Sequence, residues 1–332
     1  MPARESLFSG FCYGRPNSSF LIAGSLAQPK ELLLFYDQGI EKNVPKDRPI
    51  EQETSSVLPI PLNQLPHTQC PAGHTVMNIV AHQDDDLLFL SPDLAHDIKK
   101  GNCVRTIYIT SGDSGIDSSY WLSREQGSQA AYSTMTGLKS PWIQRVVIVA
   151  NHEYIRVSNP QKNGYISLIS LRLPDGNLKG QGFSASHYES LSKLESGKIG
   201  SIRSVTGQSV FTSAQLTNVL ALLINTYKPS EIHTQATDNF GLNDHSDHMA
   251  VGRYVREAYQ EVSSQTPASI RYYLGYSARQ MPVNVTGSDL QEKQTAFLAY
   301  SQFDDAVCQS LEQCKTTLTY NAYLSRQYSR TY

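Results

Sequence analysis

The sequence lacks the charge of a nucleic-acid binder. Its 28 Lys and Arg stand against 30 Asp and Glu, a formal net charge of −2, and no basic run or acidic tail concentrates either sign. A surface that tracks phosphates needs a basic excess, which argues against a polyanion as partner. No apolar stretch is long enough to cross a bilayer. No internal repeat is evident, no cysteine spacing fits a zinc finger, and no Gly-x-Gly-x-x-Gly follows the first core strand, which weakens a nucleotide-binding reading. What is present is a chain of 332 residues with 39% hydrophobic content, enough for a full core in one large domain or two ordinary ones. The implied partner is a small or oligomeric neutral molecule.

Cysteines are few, five in all. Cys308 and Cys314 bracket a short polar segment, and Cys70 and Cys103 flank the first strand and helix of the core. Either pair could form a bridge, with Cys12 left single. Ser19–Ala27 is apolar, follows Arg4 and Arg15 and ends in a small-x-small pattern. It reads equally as a short signal region or as an N-terminal strand or loop. With sequons at Asn17 and Asn284, these features favour export over a cytoplasmic location.

Residues 1–70 read as an irregular, proline-punctuated arm in which Leu32–Tyr36 is one strand candidate. From Thr75 the texture changes. Thr75–Ala81 is a buried strand, Ser91-Pro92-Asp93 opens a helix that Gly101 closes, and Val104–Thr110 is a second strand ending in the turn Ser111–Gly115. A helix over about 121–137 and the strand Arg145–Ala150 follow. Residues 151–211 are rich in Gly, Ser and Asn, with only short strand candidates, and read as a functional excursion. Leu216, Val219, Leu220, Leu223, Ile224 and Tyr227 then form one apolar helix face that Pro229 stops. Glu231–Gln235 is a strand, a helix runs through Val262, Ile270–Gly275 is another strand, and 289–303 and 316–330 are expected to be helical. The alternation predicts an α/β class, a Rossmann-like, mostly parallel sheet flanked by helices. It forms one domain over 71–332, with the arm before it and the insertion at 151–211 within it. Ligands of such sheets gather at the carboxyl ends of the strands.

Two short runs fall at that edge, Ala81-His82-Gln83-Asp84-Asp85-Asp86 and Asn243-Asp244-His245-Ser246-Asp247-His248. Hydrolytic zinc commonly takes three nitrogen or oxygen ligands and keeps one position for water. His82 and Asp85 are within reach of one tight loop, and His245 and His248, three apart at a helix start, can face one side. Of Asp84 and Asp85, one suits a ligand and the other a base that takes a proton from water. Each motif has a plainer reading: a solvated or calcium-binding acidic loop, although the calcium ladder of oxygens is missing, and Asp247 as a helix cap. Both motifs at one sheet edge make the metal site the better explanation. His74, His96, His152 and His187 read as surface or strand-end residues, and His233 as a packed core residue near the site.

The first run resembles the Ala-His-Pro-Asp-Asp-Glu signature of the PIG-L (LmbE-like) deacetylase family, and His245–His248 resembles its His-x-Asp-His signature. Ser123–Ala131 is similar to the family's Arg/Glu-bearing helix and Thr110–Asp113 to its second-strand turn. The resemblance covers roughly 75–150 and 212–303. It implies a zinc-dependent enzyme that removes acetyl groups from N-acetylglucosamine-type sugars. It further implies His82, Asp85 and His248 as metal ligands and Asp84 as general base. His245 would polarise the carbonyl or stabilise the oxyanion, Asp247 would orient a histidine, and Arg124 and Asp113 would lie on the substrate side. Gln83 stands where the signature has proline and Asp86 where it has glutamate, which puts loop stiffness and support in question rather than the ligands. Substrate specificity is expected in the insertion at 151–211, although Pro174-Asp175-Gly176 within it reads as a plain turn.

The expected function is therefore a metal-dependent hydrolase that deacetylates an N-acetylated amino sugar on a small molecule or glycan. The rivals are an amidase acting on a non-sugar acyl amide and a carbohydrate binder without turnover. Two histidines and a carboxylate suit Zn2+ but also Fe2+.

Overall fold

The computed structural model describes residues 58–238 and 244–331. The apolar stretch at 19–27, the strand expected at 32–36, Cys12 and the Asn17 sequon lie outside them. The sheet strands are β1 (Ile60–Pro61), β2 (Thr75–Val80), β3 (Cys103–Thr110), β4 (Trp142–Ile148), β5 (Tyr154–Pro160) and β6 (Ile166–Leu173), with β9 (Glu231–Gln235), β10 (Ser269–Tyr273) and β11 (Ser329–Thr331). A separate pair is made by β7 (Ile202–Arg203) and β8 (Val210–Phe211). The helices are α1 (Asp85–Phe89), α2 (Asp93–Lys99), α3 (Ser118–Thr136), α4 (Leu191–Glu195), α5 (Ser213–Tyr227), α6 (Ser246–Val262), α7 (Gly287–Ser301), α8 (Leu311–Thr316) and α9 (Leu318–Leu324).

The large sheet has the order β1-β4-β5-β6-β3-β2-β9-β10-β11. Its centre, from β6 to β10, is parallel, and β5 and β11 run antiparallel to their neighbours. The chain leaves β2 towards β3 and later returns on β2's other side as β9. That reversal opens a crevice at the carboxyl ends of β2 and β9, where ligands of open α/β sheets bind. Both motifs start there.

All six residues of β2 are buried, as in a strand covered on both faces. Side chains alternate between the faces, so Ile79 joins the core under α5 and α6, and Val80 the core under α3 and α7. The amphipathic face expected at Leu216–Tyr227 is the buried face of α5, whose start Thr212 and Gln215 close with a reciprocal capping box. Asp117 caps α3 at one end, and Gly137, with φ 66°, ends it at the other. Both cysteine pairs are bridged, Cys70–Cys103 and Cys308–Cys314. Among the described residues no helix is long and apolar enough to cross a membrane.

Two segments differ from the sequence expectation. Within 151–211, β5 and β6 are full strands of the main sheet, and all eight residues of β6 are buried. The strand candidate Tyr165–Leu168 covers the first part of β6, and Ser170 and Arg172 interrupt the hydrophobic pattern beyond it. The stretch expected to be helical at 316–330 ends instead in β11, an exposed edge strand held by its backbone pairing to β10.

Candidate active site

Asp84 is the pivot of the first motif. Its backbone is left-handed, with φ 94°, a conformation Asp tolerates better than most residues. The turn ends the run from β2 and starts α1, sending Asp84 and Asp85 in different directions. Asp85 Oδ2 accepts the backbone N–H of His82 at 2.7 Å and lies 3.1 Å from His82 Nδ1. Its other oxygen, Oδ1, is 3.0 Å from His248 Nε2.

Both histidines are held from behind by carboxylates. His248 Nδ1 is 2.8 Å from Asp244 Oδ1, and His82 Nε2 is 3.4 Å from Asp247 Oδ2. With those nitrogens donating to carboxylates, His82 Nδ1 and His248 Nε2 are the atoms left to exchange a proton for a cation, and both face Asp85. His248 Nε2 is buried and its nearest polar neighbour is Asp85 Oδ1, at 3.0 Å. Burial pushes the His248 ring down, but Asp85 and Asp244 outweigh burial and lift its pKa to about 9. The same negative field favours a divalent cation. Of the ligands expected from the sequence, Asp85 lies beside both His82 and His248, but the ligand atoms that converge within 4.8 Å are those of His82, His248 and His245, without Asp85.

The opposite edge of the His82 ring faces a second group. His82, Asp175, His245 and Asp247 offer ligand atoms within 4.8 Å of one another, as do His82, His245 and His248. His245 Nδ1 accepts the backbone N–H of Asp247, so the neutral ring carries its proton on Nε2, which lies 3.6 Å from Asp175 Oδ1. Burial, reinforced by His82, pushes the His245 pKa down to about 4. His245 is therefore a neutral donor at pH 7.

Asp175 is a site residue that sequence reasoning missed. It follows β6, the neighbour of β3, and its backbone N–H donates to Asp113 Oδ1 at 2.8 Å. Next to it the Gly176 N–H donates to Asp247 Oδ2 at 2.8 Å, and a Cβ on Gly176 would lie 2.4 Å from Asp247 Oδ1. The strand end before this loop is fixed by Arg172, whose guanidinium makes two 2.8 Å bonds to Glu125 of α3. Burial pushes the Asp175 carboxyl up, but the His82 and His245 rings outweigh burial and hold it below its ordinary value.

Arg124 and Asp113, expected on the substrate side, are turned into the protein. Asp113 also accepts from Ser111 Oγ and the Gly115 N–H, so it organises two loops. Arg124 Nη2 donates to Asp84 Oδ1 at 3.2 Å and to the Gln83 carbonyl at 2.6 Å, and Nη1 to the Gly112 carbonyl. Burial pushes the Asp84 carboxyl up to about 8 against the pull of Arg124. Asp86 turns away to accept hydrogen bonds from Tyr108 and Tyr132, and buried His233 sits nearest Glu231 and Asp97, away from the histidine cluster.

Residues 77–259, more than half of the chain, match the family PIG-L, GlcNAc-PI de-N-acetylase. No curated protein matches the sequence. Several solved structures are similar over most of the chain at low identity. A conserved protein of Thermus thermophilus is 16% identical over 77% of this chain and 92% of its own, with a TM-score of 0.41. The N,N'-diacetylchitobiose deacetylase of Pyrococcus horikoshii is 15% identical over 78% and 83%, with a TM-score of 0.42. The 4-carboxy-2-hydroxymuconate hydratase of Pseudomonas putida is 9% identical over 74% and 89%, with a TM-score of 0.40.

Proposed function

The chain belongs to the PIG-L family, and from that membership we propose that it is a metal-dependent N-deacetylase acting on an N-acetylated amino sugar. One observation carries the reading most directly: two carboxylate-held histidines turn their remaining nitrogens towards Asp85, with buried Asp84 adjacent. The buried carboxylate and imidazole donors around His248 Nε2 fit a cation. His82, Asp85 and His248 would hold it, and the ion, Zn2+ or Fe2+, would polarise the acetyl carbonyl and acidify the attacking water.

The protein's own groups supply the rest. In its ionised form, which a carboxyl raised to about 8 reaches only above neutral pH, Asp84 takes the proton from the attacking water and passes it to the departing amine nitrogen. Arg124 holds that carboxylate in place. His245, neutral and protonated on Nε2, donates to the oxygen that gains charge as the carbonyl becomes tetrahedral. Asp175 sets the direction of that N–H or receives a hydroxyl of the sugar. Asp247 steadies His82 and ties the Asp175 loop to α6, and Asp113 and Arg124 act as supports behind the reacting groups. The loop after β6 is the part of the 151–211 insertion that would read the substrate.

Acetate release tests the substrate class. N-Acetylglucosamine and its oligomers are expected to release acetate while acetylated peptides do not. Release from the peptides with none from the sugars would make the protein an amidase of another class. Sugar binding with a filled metal site and no acetate from any substrate would make it a carbohydrate binder.

A further inference from the structure

Two of the residues that hold Arg124 lie outside the family-matched segment 77–259. Tyr300 is near the end of α7 and Asp304 just beyond it, and both side chains are buried. Arg124 Nε donates to Tyr300 Oη at 2.7 Å and lies 2.9 Å from Asp304 Oδ2. Tyr300 Oη in turn donates to Asp304 Oδ2 at 2.6 Å, and Tyr120 Oη donates to Asp304 Oδ1 at 3.2 Å. One rigid guanidinium thus bridges two buried carboxylates, Asp84 on its Nη2 edge and Asp304 on its Nε edge. α3 admits this arrangement because Gly127, three residues after Arg124, has no side chain. A Cβ there would lie 2.8 Å from the Tyr300 ring and 2.9 Å from its carbonyl oxygen.

We propose that Tyr300 and Asp304 are positioning residues for the reaction, holding Asp84 in its working orientation through Arg124. The proposal rests on the reading of Asp84 as the proton acceptor. Asp84 sits on a left-handed residue at a turn, with Gln83 where the family signature has proline. An uncommon backbone conformation of this kind persists when its surroundings over-determine it. Arg124 does so by binding both the Gln83 carbonyl and the Asp84 side chain, and an arginine can serve as a strut only if its own base is anchored. α7 and the turn after it supply the anchor: the hydroxyl of Tyr300 fixes the plane of the guanidinium, and the charge of Asp304 keeps it from shifting onto Asp84. The C-terminal segment therefore takes part in the geometry of the reaction.

The test compares Asp304→Asn, Tyr300→Phe and Asp84→Asn in the full chain, with N-acetylglucosamine as probe, metal content measured on the same samples, and thermal unfolding of the single and double variants. Tyr300→Phe keeps the ring packed and is the milder probe. The expected result for Asp304→Asn and Tyr300→Phe is full metal content and kcat lowered about tenfold to a hundredfold with KM within about twofold. Asp304→Glu, added to the set, should regain part of that kcat. The unfolding shifts of Asp304→Asn and Asp84→Asn should fail to add in the double variant, since both carboxylates share one arginine. This cycle needs no substrate. Additive shifts, wild-type kcat in both Tyr300→Phe and Asp304→Asn, or metal loss in Tyr300→Phe would overturn the proposal. Wild-type kcat in Asp84→Asn would instead overturn the assignment of the base, and the unfolding cycle would still decide the link between Asp84 and Asp304.

Discussion

The backbone N–H of Gly176 donates to Asp247 Oδ2 at 2.8 Å, which locks the loop after β6 to the helix that carries His248. The contact is close because Gly176 has no Cβ; a methyl there would lie 2.4 Å from Asp247 Oδ1 and 3.0 Å from Ser190 Cβ. Gly176→Ala should therefore cost about 1–3 kcal/mol of stability. It should also move Asp175 off His245 and reduce kcat more than metal content. Denaturant unfolding and metal analysis of the variant check both, and an unchanged kcat would show that the loop tolerates displacement.

Asp84 and His82 should separate chemistry from metal binding. Asp84→Ala is expected to keep the ion and lose about 10²–10⁴-fold in turnover, the usual contribution of a positioned base. His82→Ala should lose both. Equal metal loss in the two variants would make Asp84 a ligand.

Asp97 gives a pH signature well away from the reaction. Burial raises its carboxyl above the ordinary 3.8, reinforced by Glu231 and opposed by His233, Lys100 and the hydrogen bond from Asn102. The folded protein therefore binds this proton more tightly than the unfolded chain. Its stabilising contribution is present below about pH 3.8 and is lost as the pH rises through the folded value. Asp97→Asn should gain stability relative to wild type as the pH is raised from acid to neutral. Urea unfolding of both proteins across that range decides it, and parallel stability curves would contradict the assignment.

The longer disulfide should matter more than the shorter one. Cys70–Cys103 closes a loop of 33 residues and Cys308–Cys314 one of 6. Chain-entropy estimates give about 3–4 kcal/mol for the first and about 2 for the second. Unfolding of Cys70→Ser/Cys103→Ser beside Cys308→Ser/Cys314→Ser measures the order.

The central strands β2 and β3 were legible because they are short runs rich in apolar, β-favouring residues, each bounded by turn residues. The ligand candidates were legible because His82, Asp85 and His248 sit inside two compact motifs at strand ends. Asp175 was hidden by its local chemistry, since its side chain accepts the Asn177 N–H at 2.7 Å and does make a turn. Only the pairing of β6 with β3, which sets Leu173 opposite Thr110, brings it beside Asp113. Tyr300 and Asp304 were hidden for a related reason: α7 lies 176 residues beyond Arg124 in the hydrogen bond that joins them, and no local pattern records that meeting. Asp244 stood in plain view within the second motif, but its role depends on the helical turn that brings it under His248 four residues later.

The central claim is that a divalent cation held by His82, Asp85 and His248 is needed for deacetylation. Metal analysis before and after chelation, with acetate release from N-acetylglucosamine measured on the same samples, tests it most directly. About one ion per chain, loss of acetate release on stripping and its return when the metal is restored are expected. Full acetate release from metal-free protein would contradict it.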